Sequence, residues 1–230
     1  DYGLLYTRRF PTLRKAYENW KIQGGDVDSL LLTRSKENFD YCIFMALKGK
    51  FDGRSWLEFP EEYRNKEASS IERFIEENKD EIAFYAFMQQ QYEKQWKALQ
   101  DYAHEREIRI LGDIPIYCAM DSADVWGNRK MFDFSEGEKG YPGFIAGVPP
   151  DAFSETGQLW GNPLYDWEAQ EKDNYAWWCR RMEYCFSRFD LLRVDHFRGF
   201  EGYYAVPYAA KTAINGEWRK GPGLALFEAF

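Results

Sequence analysis

The sequence predicts an α/β fold with parallel strands. Three observations carry this: a helical first half up to about residue 105, a β-branched run from Ile108 to Ile116 (IRILGDIPI), and a second short strand, Phe189 to Val194 (FDLLRV), entered from a helix. Strand, loop, helix, strand is a βαβ unit, and such units build parallel sheets. In the first half, Ser69 followed by Glu72 has capping-box spacing ahead of Ile71, Phe74 and Ile75. A longer helix then sets Ile82, Tyr85, Met88, Tyr92, Trp96, Leu99 and Ala103 at steps of three and four, a stripe expected to pack as core. In the second half, a long loop rich in Gly, Pro, Asp and aromatics is expected through about Leu164. It is followed by a helix with Tyr175, Trp178, Met182 and Cys185 on one face.

Composition removes several function classes. The chain has 230 residues, 45% hydrophobic and 19% aromatic with nine Trp, which excludes intrinsic disorder. A formal charge of -8 argues against nucleic acid or an anionic membrane as partner, because both select basic patches. No stretch reaches the roughly 20 apolar residues of a spanning helix, and nothing reads as a signal peptide. Cys42, Cys118, Cys179 and Cys185 lack metal-type spacing and only two histidines exist, so neither a zinc site nor a disulfide framework is expected. No metal and no cofactor is called for, and a reducing cytoplasm fits best. The chain begins at Asp1 rather than Met and stops at Phe230 within an apolar run, as a piece of something longer would.

Two strand ends and one loop could carry chemistry. Side chains alternate along a strand, so Leu191, Arg193 and Asp195 point one way, and Leu192 and Val194 point the other, toward covering helices. A guanidinium beside Asp195 favours its ionised form, which suits nucleophilic attack or stabilisation of a developing cation. A structural ion pair before a turn at His196 to Gly199 accounts for the same spacing. Asp113, within an apolar strand, needs partners if buried; alternatively Asp113, Asp121 and Asp124 cap turns and helix starts, the reading favoured for Asp121 and Asp124. In the loop from 147 to 167, Phe153, Trp160, Tyr165 and Trp167 alternate with Asp151, Ser154, Asn162 and Asp166. Aromatic faces stack on sugar rings while carboxylates and amides bond hydroxyls, and such a loop can cover a site and exclude water. An Ω-type loop packed on its own aromatics fits the composition equally.

Taken together and in order, GDIPIY…DSADVW, GVPPDAFSETGQLWGNPLYDW and LLRVDHFRGF resemble signature blocks of the 4-alpha-glucanotransferases of glycoside hydrolase family 77, the amylomaltases or disproportionating enzymes. DYGLLYTRRFPTLRKAY, FMALKGKFDGRSWLEFPEEYR and FYAFMQQQYEKQW resemble the region that precedes those blocks. The resemblance implies a partial (β/α)8 barrel: residues 1–105 as a helical insertion, and 106–230 as barrel strands 3 and 4 with long active-site loops. A third strand signal lies near Asp1, and half a barrel should leave unpaired strand edges and an exposed apolar face.

The resemblance also implies a retaining transfer of alpha-1,4-glucan segments between maltooligosaccharides. Asp195 is then the nucleophile and Arg193 the group that orients and charges it. Asp113, Asp151, Phe153, Ser154, Trp160, Asn162 and His196 are implied substrate contacts, with Phe153 and Trp160 stacking from a flexible loop, Gly147 to Asn162. The family's acid/base glutamate and its third carboxylate sit in blocks not found before Phe230. GPGLALFEAF resembles the helix ahead of the first of them, and Glu228 has the wrong context to replace the acid, so this chain alone is expected to be inactive or nearly so. A non-catalytic alpha-glucan-binding protein and an alpha-amylase-clan hydrolase remain open as alternatives.

Overall fold

The computed structural model describes residues 2–135, 137 and 140–230, and the chain divides into two compact units, up to 98 and from 99. The first unit is helical: α1 (Tyr2–Ile22), α2 (Val27–Leu32), α3 (Lys36–Lys50), α4 (Glu61–Arg64), α5 (Ala68–Glu77) and α6 (Lys79–His104), the helix within which the boundary falls. The strand signal near Asp1 is not realised, since helix begins at Tyr2; Asp1 itself lies outside the described residues. Short polar side chains start the early helices. Asp26 accepts from the Ser29 amide at 3.1 Å to open α2, and Ser35 accepts from Asn38 at 3.2 Å to open α3.

Aromatic packing holds α1 on α6: Tyr17 meets Phe84 and Phe87 at 5.7 and 5.5 Å, and Trp20 meets Phe87 at 5.4 Å. Arg14 ties the same pair with a two-pronged bond to Glu81 (2.8 and 2.6 Å). Two sequence expectations fail here. Ser69 does not cap: α5 begins at Ala68, and the amides of Ser70 and Ile71 already reach the Glu67 carbonyl at 3.1 and 2.9 Å. The chain is turned into the helix earlier, at Lys66, which takes a left-handed backbone (φ 56°) while its ammonium bonds buried Asp40 at 2.6 Å. The α6 stripe is core in its first turns, where Ile82 to Phe87 are buried all round, and again at Ala103 in its last turn. Between them, Tyr92 is 44% and Leu99 50% exposed.

The second unit contains the expected βαβ unit. Strand β1 (Leu111–Pro115) pairs in parallel with β4 (Leu191–Asp195), in the register Asp113↔Arg193 and Pro115↔Asp195. The helix between them, α9 (Ala176–Phe186), packs on β4, and it buries Trp177 and Trp178. Asp190 fastens the entry to both strands: its carboxylate accepts from the Ile110 amide at 2.7 Å and from the His104 ring at 3.0 Å.

The long loop to Leu164 is not all loop. It holds a short α7 (Ala123–Gly127) and strands β2 (Phe144–Val148) and β3 (Gln158–Pro163), followed by α8 (Trp167–Lys172). Beyond β4, strands β5 (Gly202–Pro207) and β6 (Glu217–Lys220) complete an antiparallel sheet in the order β3-β2-β5-β6. Its core gathers Ile145, Tyr204, Val206 and Ala213. The closing segment folds as α10 (Leu224–Ala229). No helix among the described residues is long and apolar enough to cross a membrane, and all four cysteines are free thiols.

Candidate active site

Strand periodicity creates the site. On β1 and β4 the side chains of Leu111, Asp113 and Pro115 share one exposed face with Leu191, Arg193 and Asp195. Gly112 and Ile114 are buried on the other face, with Leu192 and Val194 half-buried beside them. Only glycine fits at 112, because a Cβ there would run into the Phe189 ring. Asp195 occupies the outgoing end of β4, the edge at which chemistry gathers in parallel sheets.

The charges on this face differ from the sequence expectation in two ways. Asp113 is not buried: its side chain is 56% exposed, and its partner is Arg193 on the neighbouring strand. The Arg193 fork is directed at Asp113, with Nε and a terminal nitrogen donating to its two oxygens at 3.1 and 2.6 Å. Asp195 lies 3.8 Å from that same terminal nitrogen, an ion-pair distance without a hydrogen bond. The guanidinium is held protonated even more firmly than usual, first by its hydrogen bond to Asp113 and that carboxylate's charge, with Asp195 adding a smaller pull. Asp113 therefore fixes the cation, and Asp195 stays exposed beside it.

Next to Asp195 the chain turns sharply. His196 is left-handed (φ 55°), and its carbonyl accepts from the Gly199 amide at 2.9 Å. A Cβ on Gly199 would come within 2.8 Å of Ile116 Cδ1, so the turn packs closely on the end of that side chain. The half-buried imidazole has its pKa lowered, first by desolvation, with the Asp195 charge opposing and Arg198 assisting. Its Nε2 is buried without a hydrogen-bond partner among the described residues. Trp160, from β3, meets the ring edge-to-face at 4.7 Å. Tyr117, just beyond β1, lies 6.2 Å from Trp160 and 6.5 Å from His196. These three rings form an aromatic wall at the turn that follows Asp195. Sequence reasoning did not single out Tyr117, although GDIPIY contains it; its position two residues past a strand that ends at the site was the available signal.

The segment Gly147 to Asn162 is a β2–β3 hairpin at both ends rather than a free loop. At its tip one Asp151 oxygen accepts from the amides of Phe153 and Ser154, both at 2.8 Å, and the Ser154 hydroxyl donates to the Gly157 carbonyl at 2.7 Å. These bonds hold out Phe153, which is 96% exposed. Asn162 donates to the Cys118 carbonyl at 2.7 Å, tying the hairpin to the stretch after β1. The structure thus brings Asp113, Arg193, Asp195, His196 and Trp160 together. Asp151 and Ser154 bond within the hairpin tip, Asn162 ties the hairpin to the stretch after β1, and Phe153 stands at the tip.

The sequence profile of the 4-alpha-glucanotransferases (glycoside hydrolase family 77) matches residues 1–230. The chain belongs to this family. A 4-alpha-glucanotransferase of Clostridium butyricum is 44% identical over 228 residues, 99% of this chain and 47% of its own. The chloroplastic/amyloplastic 4-alpha-glucanotransferase of Solanum tuberosum is 47% identical over 235 residues, 100% of this chain and 40% of its own. An amylomaltase from Streptococcus agalactiae, solved in complex with acarbose, superposes on the whole chain with TM-score 0.93 at 34% identity, using 46% of that protein. The chain therefore spans about half the length of the relatives it matches. Its α/β fold is that of a partial (β/α)8 barrel with helical additions, as expected from the sequence.

Proposed function

We propose that the protein is a 4-alpha-glucanotransferase acting on maltooligosaccharides and other alpha-1,4-glucans by retaining double displacement, with Asp195 as nucleophile. The observation that carries this is Asp195 itself: a carboxylate on the outgoing end of a parallel strand, 3.8 Å from a guanidinium that Asp113 pins, with the Trp160–His196 pair beside it. In the first half-reaction Asp195 attacks the anomeric carbon and the leaving glucan departs with a proton from a carboxylic acid. In the second, an acceptor sugar hydroxyl gives a proton back to that group and displaces Asp195. Trp160 and Phe153 supply apolar faces for sugar rings, while Arg193 and Asp113 set the charge of the floor. The amylomaltase neighbour's acarbose complex and the names of the relatives support the same substrate class.

In this reading β1 and β4 are the third and fourth barrel strands, residues 1–105 are an insertion in the catalytic domain, and the cytoplasm is the working compartment. Residues 1–230 alone do not turn over. Retaining transfer needs two carboxyl groups roughly 5 Å apart, and on this face Asp113 is already taken up by the Arg193 fork.

Given maltotriose, the full-length protein should produce a ladder of shorter and longer maltooligosaccharides on thin-layer chromatography. Glucose without longer products would instead mark a hydrolase, and binding without products a glucan-binding protein. The same assay tests the hairpin tip. Phe153→Ala removes a ring that touches no core, so the unfolding temperature should stay within about 1 °C. The ratio of transfer to hydrolysis should fall several-fold as the acceptor loses its stacking surface. An unchanged ratio would remove Phe153 from the acceptor site.

A further inference from the structure

The outgoing end of β1 is held from behind by a guanidinium that neither the strand pattern nor the charged face accounts for. Arg181, half-buried on α9, donates from one terminal nitrogen to the Pro115 carbonyl at 2.7 Å. The other donates to the Ile116 carbonyl and to the Tyr165 hydroxyl, both at 3.0 Å. Tyr165 in turn donates its own proton to the Ile116 carbonyl at 2.6 Å. Among the described residues no carboxylate forms an ion pair with Arg181, although the Asp124 charge acts on it from further away; the Trp178 and Trp177 rings lie 4.7 and 5.5 Å away. The fork's three hydrogen bonds thus fix two successive main-chain carbonyls and one phenol.

What those carbonyls position is the site. The parallel register ends at Pro115↔Asp195, so Ile116 has no rung on β4 to steady it. Tyr165 stacks on Tyr117 at 6.0 Å, and Tyr117 backs the Trp160 and His196 rings. Any drift of residues 115–117 moves the strand end opposite Asp195 and the aromatic wall together. We propose that Arg181, acting with Tyr165, is a positioning residue for glucan transfer: it clamps the carbonyls of Pro115 and Ile116 so that the Asp195 face and the Tyr117–Trp160–His196 wall keep one relative placement. This rests on the transferase reading above.

Two variants of the full-length protein test it, with kcat and KM for maltotriose transfer measured well below each variant's unfolding temperature. Tyr165→Phe deletes one oxygen and keeps the stacked ring. Arg181→Lys keeps the charge and loses the fork. Misplacement of a reacting group acts on the transition state more than on substrate binding. We therefore expect kcat to fall about tenfold in Tyr165→Phe and further in Arg181→Lys, with KM within about twofold of wild type. Wild-type kcat in both variants, or a rise in KM alone, overturns the proposal whatever happens to the unfolding temperature. If Arg181→Lys does not fold, Tyr165→Phe decides by itself. A wild-type protein that makes no transfer products sinks the transferase reading instead, and the positioning role with it.

Discussion

Asp195→Asn in the full-length protein should lower transfer from maltotriose by about 10⁴-fold or more, the scale on which covalent catalysis fails when its nucleophile is removed. Asparagine has the same shape as aspartate but lacks the anionic oxygen that attacks the anomeric carbon. The loss should fall on kcat, because Asp195 is one exposed group among several that face the sugar, its side chain being 69% exposed. Folding should be nearly untouched. Among the described residues the carboxylate's ion-pair contact is the exposed 3.8 Å approach of Arg193, and exposed pairs contribute little to stability. The measurement is a progress curve for maltotriose disproportionation beside a thermal unfolding curve for both proteins. Retention of about a tenth of the wild-type rate by a well-folded Asp195→Asn protein would leave the ion-pair alternative for this strand end and remove the nucleophile.

The strand that carries Asp195 was readable because its signal is local. In FDLLRVD the period of two assigns Arg193 and Asp195 to one face and Leu192 and Val194 to the other, and the burial of β4 follows that alternation. The partner strand was readable as a β-branched run, although it is shorter than the sequence suggests: Ile108 lies in the turn after α6, where Glu107 adopts a positive φ of 57°. What could not be read depends on distance along the chain. The antiparallel sheet pairs Ile145 with Val206, and its strands FIAGV and GYYAVP carry Gly and Pro that weaken any strand signal. The meeting of Trp160 with His196 depends on that sheet, since Trp160 rides on β3 and β3 is placed by β2. Arg181 was hidden for a different reason. The aromatic face of its helix dominates the pattern, and a polar residue within it reads as surface until the carbonyls it holds are known.

The partner of Arg193 was also invisible in sequence, because Asp113 and Arg193 are 80 residues apart and meet only through the strand register. That pairing yields a sharper test than either residue alone. Asp113→Asn turns one of the two acceptors of the fork into an N–H₂ group that the guanidinium cannot bond. Arg193 would then leave the position from which it reaches Asp195. Arg193→Leu removes the cation itself and leaves Asp113 with no task on this face. Each single variant should therefore lose about 100-fold in kcat for maltotriose transfer, as misplacement of a charged group near a reacting centre does. Because both act through one guanidinium, the double variant should lose little more than the worse single variant, far short of the roughly 10⁴-fold that independent effects would multiply to. Arg193→Lys should recover only part of the loss, since an ammonium cannot grip both Asp113 oxygens and face Asp195 at once. Multiplicative losses in the double variant would show instead that Asp113 touches the sugar on its own account, and that the fork seen here is incidental to the reaction.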